Sequence, residues 1–229
     1  MFFMSSDDKI KKLLSKLVFK SKLYLYLLKQ KVFFKYIEAL SLFMKKQIVI
    51  FISGKGSNAL NIINYFSETE NLTVSHVYSN NKTSPFFNHK LNSNIKVSYF
   101  QNNDLNTKVF EELQHIKPDL IVLAGFLKKI PITYLDYFKK MIINIHPSLL
   151  PKYGGKGMYG SRIHDKVIEN NETETGITIH YVSEQYDSGE IIFQRKIVLD
   201  DNDTAKTIEK KIHELEYKYL PKIIESILI

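Results

Sequence analysis

The pattern of apolar residues from Gln47 onward alternates between strand-like and helix-like segments. QIVIFIS (47–53) is a continuous run rich in β-branched residues, as expected of a strand buried on both faces. The following segment, residues 57–67, places Leu60, Ile63 and Phe66 on one face of a helix. Similar apolar runs predict further strands at residues 72–79, 95–100, 120–125 and 141–146.

This succession predicts an α/β fold, a mostly parallel twisted sheet flanked by helices and joined by right-handed crossovers. Ligands of such sheets gather at the carboxyl ends of the strands, so the residues that follow each strand are the first candidates for function. The remaining predicted elements are a helix that Asp104 caps and that runs to about Ile116, two strands at residues 176–183 and 190–199, and a closing helix capped by Asp203 or Thr204.

The net charge of +8 is concentrated near the N-terminus. Residues 1–43 hold nine lysines and three acidic residues, and therefore six of the eight net positive charges. The rest of the chain is nearly neutral, which argues against a broad nucleic-acid backbone binder. The absence of cysteine excludes disulfides, cysteine-ligated metals and thiol nucleophiles, and fits a cytoplasmic enzyme. No apolar run reaches membrane-spanning length.

Residues 1–43 alternate apolar and lysine-rich stretches, which predicts a basic amphipathic helix. Three interpretations compete: a membrane-surface or partner helix, a targeting extension, or translated sequence upstream of the true start. The segment contains no arginine, which argues against a transit peptide. Met44 stands immediately before the first strand. We therefore interpret residues 1–43 as a dispensable basic extension and residues 44–229 as the functional domain.

A glycine-rich turn, Ser53 to Asn58, follows the first predicted strand. Glycines permit a tight turn, and the helix that follows offers free N–H groups to an anion, with Ser57 and Asn58 as further donors. The spacing is close to a dinucleotide fingerprint, but the second strand ends at residues 78–81 without the acid that would hold a ribose. The alternative is a plain turn in which Ser57 only caps the helix.

The stretch from Asn144 to Pro151, NIHPSLLP, ends the fifth predicted strand. Residues two apart in a strand point to the same side, so Asn144 and His146 can present an amide and an imidazole together. Pro147 then ends the strand. Such a pair of donors suits the attack of an amine on a carbonyl, in which negative charge develops on oxygen. The alternative is a structural histidine.

Asp187 lies in the turn between the last two predicted strands, in QYDSG. Its carboxylate can orient His146, favour the protonated imidazole, and accept a proton from the nucleophile through water. The alternative is a hairpin turn in which Asp187 caps its own backbone.

These motifs, taken in order, resemble the phosphoribosylglycinamide formyltransferase family: GKGSN after the first strand, then LAGFLKKI, NIHPSLLPKY and GITIHYVSEQYDSG. The resemblance covers about residues 47–227. It implies a formyltransferase-type Rossmann-like fold and the transfer of formyl from 10-formyltetrahydrofolate, as co-substrate, to the glycyl amine of glycinamide ribonucleotide in purine biosynthesis. No metal is implied.

The same resemblance implies roles for individual residues. His146 and Asn144 would stabilise the oxyanion, while Asp187 would keep His146 charged and relay the amine proton. The positions that match the family's motifs are Asn144, His146 and Asp187 for catalysis, Gly56, Ser57 and Asn58 for the substrate phosphate, Leu127 and Ile130 for the folate pocket, Glu216 for substrate contact, and His180 near the catalytic aspartate.

Two stretches depart from the family's pattern: the glycine-rich segment 154–160, and residues 80–93, which match no folate-side residues. Formyltetrahydrofolate hydrolase shares the histidine motif, but 43 residues are too few for its N-terminal regulatory domain. Methionyl-tRNA formyltransferase carries a C-terminal RNA-binding domain that we do not expect here. A non-enzymatic binding module is the alternative from another class. We expect small-molecule partners, no nucleic acid and no membrane for the catalytic domain, and predict no oligomeric state.

Overall fold

Seven strands form a single sheet in the computed structural model, which describes residue 30 and residues 45–229. The helix predicted within residues 1–43 lies outside the described residues, apart from position 30. Among the residues described, no helix is long and apolar enough to cross a bilayer. The strands are β1 (Lys46–Ile52), β2 (Leu72–Ser79), β3 (Lys96–Tyr99), β4 (Leu120–Leu123), β5 (Ile142–His146), β6 (Glu174–Tyr181) and β7 (Ile191–Val198).

The strand order is β3-β2-β1-β4-β5-β6-β7. The first five strands pair in parallel, and β6 and β7 continue the sheet in antiparallel pairing. The predicted mostly parallel sheet is therefore confirmed. The chain leaves β1 towards β2 on one side and returns to β4 on the other. This change of direction opens a crevice at the carboxyl ends of β1 and β4, where ligands of such sheets bind.

In the described part of the chain, five α-helices cover the sheet, and two of them were not predicted. The two helices without a prediction are Ile132–Phe138 and Ser161–Glu169, which precede and follow β5 in the chain. The helices are α1 (Ser57–Phe66), α2 (Lys108–Ile116), α3 (Ile132–Phe138), α4 (Ser161–Glu169) and α5 (Ala205–Leu228), with 3₁₀ turns at Pro85–Asn88, Asn102–Asn106 and Lys139–Met141.

The capping predictions had mixed outcomes. Asp104 does not cap α2: its Oδ2 accepts the Gln101 N–H within the 3₁₀ turn, and α2 begins only at Lys108. The local side-chain bond favours the tighter turn over a continuous helix. Thr204 caps α5 as predicted, and its hydroxyl accepts the Thr207 N–H.

Alternate residues of β1 supply the two halves of the core. Ile48, Ile50 and Ile52 point to the face covered by α1, α4 and α5. Val49 and Phe51 point to the opposite face, covered by α2 and α3. All five are fully buried, and each such side chain contributes about 1.5–3 kcal/mol on leaving water. A strand without a polar face is what a sheet with helices on both sides requires.

Candidate active site

Asn144 and His146 lie at the carboxyl end of β5, as predicted, beside the antiparallel strand β6. The register places Asn144 opposite His180, and the Asn144 Nδ2 atom lies 3.1 Å from His180 Nε2. His146 and His180 are both almost completely buried. The sheet itself therefore sets the spacing of these side chains, because Asn144 and His180 hold opposite positions in paired strands.

The surroundings of His180 define its tautomer. His180 Nδ1 donates a hydrogen bond to the Tyr181 carbonyl at 2.9 Å, so Nε2 is the acceptor of the neutral ring and receives an N–H of Asn144. Burial lowers the pKa of His180, against the opposing effects of the Tyr181 carbonyl and of Asp187. A neutral His180 fixes the Asn144 amide with one N–H bound and the other available.

Asp187 connects the hairpin turn to this group. Its Oδ1 lies 3.5 Å from His146 Nδ1 and 3.8 Å from His180 Nε2, while Oδ2 accepts the Gly155 N–H at 2.8 Å. The residue has φ +54°, a left-handed conformation that non-glycine residues adopt at a cost. The alternative of a self-capping turn is not observed, since the carboxylate points away from its own turn.

His146 is held from both sides. Its Nε2 donates to the carbonyl of Tyr153 at 2.8 Å, and its Nδ1 faces Asp187. The Nδ1–Asp187 separation of 3.5 Å is at the upper limit of a hydrogen bond, and catalytic contacts of this kind often shorten when a substrate binds. The Tyr153 hydroxyl donates to Glu172, which anchors the loop that carries this carbonyl.

The glycine-rich turn after β1 contacts Ser84 and Phe86, two residues that the sequence analysis did not single out. Gly56 adopts φ +73° at the N-cap of α1, and a Cβ there would collide with the buried ring of Phe86. The Ser84 hydroxyl donates to the Gly54 carbonyl, and the Ser53 hydroxyl accepts the Leu127 N–H. The segment 80–93, unmatched in the sequence, therefore holds the turn in position.

Asn58 and Glu216 meet across 158 residues of sequence. Asn58 Nδ2 donates to Glu216 Oε2 at 2.9 Å, and His213 Nδ1 lies 2.8 Å from the same oxygen. Both Asn58 and Glu216 are more than nine-tenths buried. The Oδ1 atom of Asn58 has no hydrogen-bond partner among the described residues. An unpaired buried carbonyl costs about 1–3 kcal/mol, which a donor on a ligand would offset.

These groups enclose one cavity of about 480 Å³ at the carboxyl ends of β1, β4 and β5. Ile130 and His180 line a smaller neighbouring cavity of about 50 Å³, which shares Asn144 and Asp187 with the larger one. Leu127 is half exposed at the cavity wall, and Ile130 is buried. The predicted residues that line the larger cavity are Gly56, Ser57, Asn58, Leu127, Asn144, His146, Asp187 and Glu216.

Further cavity residues escaped the sequence reasoning. His164 of α4 and Glu209 and His213 of α5 line the end of the cavity near Glu216. The i, i+3 spacing of His213 and Glu216 on a predicted helix was a signal that both share one face. His164 carried no such signal, because its helix was not predicted. The described residues contain no group of three or more His, Asp or Glu side chains arranged to hold a metal ion.

Most of the chain matches the model of a known protein family. Residues 46–224, most of the chain, match the model of the family described as "Formyl transferase". The chain belongs to the formyl transferase family.

Its relatives within that family have one recurring name. "Phosphoribosylglycinamide formyltransferase, chloroplastic" of Arabidopsis thaliana is 33% identical over 191 residues, which cover 80% of this chain and 65% of the relative. The protein named "Phosphoribosylglycinamide formyltransferase" in Haemophilus influenzae is 32% identical over 79% of this chain and 86% of its own length. The chain thus spans less than two thirds of the Arabidopsis relative.

Solved structures of formyl transferases superpose on the fold. Phosphoribosylglycinamide formyltransferase from Bacillus halodurans gives a TM-score of 0.71 at 29% identity, over 80% of this chain and 95% of that one. Glycinamide ribonucleotide transformylase 1 from Geobacillus kaustophilus gives 0.73 at 26% identity, over 81% of this chain and all of that one. The expected formyltransferase-type fold and the resemblance in motif order are confirmed.

Proposed function

We propose that the chain transfers a formyl group from 10-formyltetrahydrofolate to the glycyl amine of glycinamide ribonucleotide. One observation carries the proposal: the predicted phosphate turn and the predicted catalytic residues line the same cavity of about 480 Å³. A ligand that reaches from Gly56 to Asp187 can place a phosphate in the turn and an amine beside His146. The names of the relatives support this substrate.

In the proposed reaction the neutral amine attacks the formyl carbon, the oxygen takes the negative charge, and tetrahydrofolate departs as the carbon–nitrogen bond to it breaks. The free N–H of Asn144 and the Nδ1–H of His146 are the donors for that oxygen, because His146 Nε2 already donates to the Tyr153 carbonyl and the contact of Nδ1 with Asp187 is long. Preset donors in comparable sites each contribute roughly 3–4 kcal/mol to transition-state stabilisation. Asp187 takes the proton that the amine loses and passes it to the departing nitrogen of tetrahydrofolate. Its Oδ1 lies within reach of the imidazole, and the Gly155 N–H holds its other oxygen.

The opposite end of the cavity suits the phosphoribosyl part. Gly56 and the first turn of α1 present backbone N–H groups, which favour a phosphate at a helix N-terminus. The buried carboxylate of Glu216 suits the hydroxyls of a ribose, since it accepts hydrogen bonds only. Leu127 and Ile130, on the stretch after β4, supply apolar surface for the folate.

The direct test is a formyl-transfer assay with purified protein. 10-Formyltetrahydrofolate is supplied with and without glycinamide ribonucleotide, the absorbance change is followed, and formate is measured separately. The proposal expects turnover that requires the ribonucleotide and yields its formyl amide, with ribose 5-phosphate as a competitive inhibitor. Turnover that releases formate without the ribonucleotide would show that water is the acceptor, and the proposed substrate would be wrong.

A cytoplasmic location, small-molecule partners without nucleic acid, and a reaction without a metal belong to the same proposal. The names of the relatives do not decide the location, because the Arabidopsis relative is named chloroplastic. Cell fractionation with an antibody to the chain, and an assay after exhaustive chelation, test the location and the metal separately.

A further inference from the structure

His213 lies one helical turn before Glu216 on α5 and contacts it directly. His213 Nδ1 and Asn58 Nδ2 both bind Glu216 Oε2, at 2.8 and 2.9 Å. Both bonds fall on one oxygen, and the described residues form no hydrogen bond to Glu216 Oε1. Glu216 is only 4% exposed and lines the cavity, so its second oxygen is the one left for a ligand.

The charges around His213 come from three elements. On α5, Glu216 bonds to it and Glu209 lies 3.8 Å from its Nε2. Lys55, on the turn after β1, and His164, on α4, also line this end of the cavity. The ring of His213 stacks in parallel on Tyr217, which limits its rotation.

The balance of these charges favours a protonated His213. The hydrogen bond that His213 donates to Glu216 is the main cause that raises the pKa of His213, and Glu209 adds to it, while partial burial and Lys55 act in the opposite direction. Burial lowers the pKa of His164, so that ring is neutral near pH 7. His213 is therefore the group beside Glu216 whose surroundings favour a positive charge.

A cation is needed at this place if the ligand is an anion. Glu216 hydrogen-bonds to Asn58, which belongs to the turn that would bind a phosphate, so an unpaired carboxylate would repel that phosphate. A proton on His213 cancels this repulsion and holds Oε2 in place. His213 is 42% exposed in its side chain, so solvent weakens the effect without removing it.

We propose that His213 is a positioning residue that makes binding of the sugar phosphate depend on pH, by holding Glu216 and offsetting its charge. The proposal rests on the proposed function for the class of ligand, a phosphorylated ribose. The sign follows from the direction of the shift. His213 is protonated at low pH and loses its charge as the pH rises through a value above the ordinary 6.5, so its contribution to binding is lost in that direction.

The test is the dissociation constant of ribose 5-phosphate, measured by titration calorimetry on the full chain between pH 6 and pH 9. The variant His213→Gln keeps a donor for Glu216 but carries no charge, and His213→Leu removes both. Ionisation of the phosphate of ribose 5-phosphate affects wild type and variants alike. The ratio of the variant to the wild-type dissociation constant therefore reports the effect of His213 alone. His115→Gln, at an exposed histidine on α2 that does not line the cavity of about 480 Å³, is the matched control.

We expect His213→Gln to bind roughly 5–10 times more weakly than wild type at pH 6, and equally well at pH 9. His213→Leu adds a loss that does not change with pH, and His115→Gln matches wild type throughout. The proposal would be overturned if the ratio of the His213→Gln constant to the wild-type constant did not change between pH 6 and pH 9, or if it were one at pH 6.

A second readout is independent of binding. In the NMR titration of the imidazole protons, the His213 resonance should have its midpoint above pH 6.5, and Glu209→Gln should lower that midpoint. A midpoint at or below 6.5 would overturn the proposal. Failure of the proposed function is distinguishable, because wild type would then bind neither ribose 5-phosphate nor glycinamide ribonucleotide, whatever the state of His213.

Discussion

Asp187 joins segments that are distant in the sequence. One carboxylate oxygen faces two histidines, from β5 and β6, and the other is bound by the Gly155 N–H of the glycine-rich loop. Its left-handed backbone is a conformation that the surrounding contacts must hold in place. A side chain held so firmly and lying only 3.5 Å from His146 is arranged to act on that imidazole.

We predict that Asp187→Asn loses about 100-fold or more in kcat while the dissociation constant for glycinamide ribonucleotide stays nearly unchanged. The asparagine oxygen can still accept the Gly155 N–H, so the loop keeps its place, but the residue can no longer relay a proton. Steady-state kinetics together with calorimetry separate the two effects.

Asp201→Asn, at an exposed carboxylate in the turn before α5, is the control for the loss of one negative charge. It should leave both constants unchanged. If Asp187→Asn turned over at a near-normal rate, the role assigned to Asp187 would be wrong.

At the residue scale, motif spacing predicted which side chains meet but not how they bond. Asn144 and His146 share a strand end, and a period of two was enough to put them together. That His146 would bond to the Tyr153 carbonyl depends on the path of the loop after β5, which local patterns do not encode.

The turn after β1 works as a unit with the 3₁₀ turn at residues 85–88. Phe86 fills the space in which a side chain at position 56 would lie, and the Ser84 hydroxyl binds the carbonyl of Gly54. Gly56 is therefore required twice, once for its positive φ and once for its missing Cβ. The two elements fix the approach of α1 to any anion at its N-terminus.

We predict that Gly56→Ala raises the KM for glycinamide ribonucleotide more than it lowers kcat, because it displaces the turn proposed to bind the phosphate and leaves Asn144, His146 and Asp187 in place. The backbone conformation costs about 1–3 kcal/mol, and the collision with Phe86 adds a similar amount. Urea denaturation and steady-state kinetics give the two quantities.

Gly157→Ala separates the two costs, since Gly157 also has positive φ but a Cβ there would meet no atom within 4 Å. Its loss of stability should be the smaller of the two. Equal stabilities of the two variants would show that Phe86 does not constrain the turn.

Element predictions succeeded where burial dominates the pattern. Strand β1 has apolar residues that face both layers of helices, and this continuous apolar run allowed the strand to be predicted. The short helix α3 is rich in aromatic and β-branched residues, whose propensities do not favour a helix, so packing rather than local preference forms it. Helix α4 follows three glycines with positive φ, and because glycines are typical of a loop, the sequence did not indicate where this helix begins.

At the scale of the whole molecule, the cavity depends on where the chain reverses direction across β1. The glycine-rich turn after β1 lies on one side of the crevice between β1 and β4 and the stretch with Leu127 lies on the other, while β5 brings in Asn144 and His146. The Asn58–Glu216 bond then fastens α1 to α5 over this crevice. Fold class was predictable from the order of strands, but this long-range closure was not.

The positions of the cavity residues in the sequence indicate whether the activity requires residues 1–43. Every described residue that lines the cavity lies between Gly54 and Glu216, and the family match begins at residue 46. Residues 46–229 also form one compact unit. We therefore predict that a protein of residues 44–229 folds and transfers formyl groups with a kcat/KM within about twofold of the full chain.

Side-by-side kinetics and thermal unfolding of the two proteins check this prediction. The comparison is informative because loss of the basic segment removes six net positive charges, which would matter for a polyanionic surface but little for a substrate enclosed by the cavity. The kinetics are therefore run at low and at physiological salt. A tenfold loss of kcat/KM that is independent of salt would mean that residues 1–43 contribute to the catalytic domain, and the assigned domain boundary would be wrong.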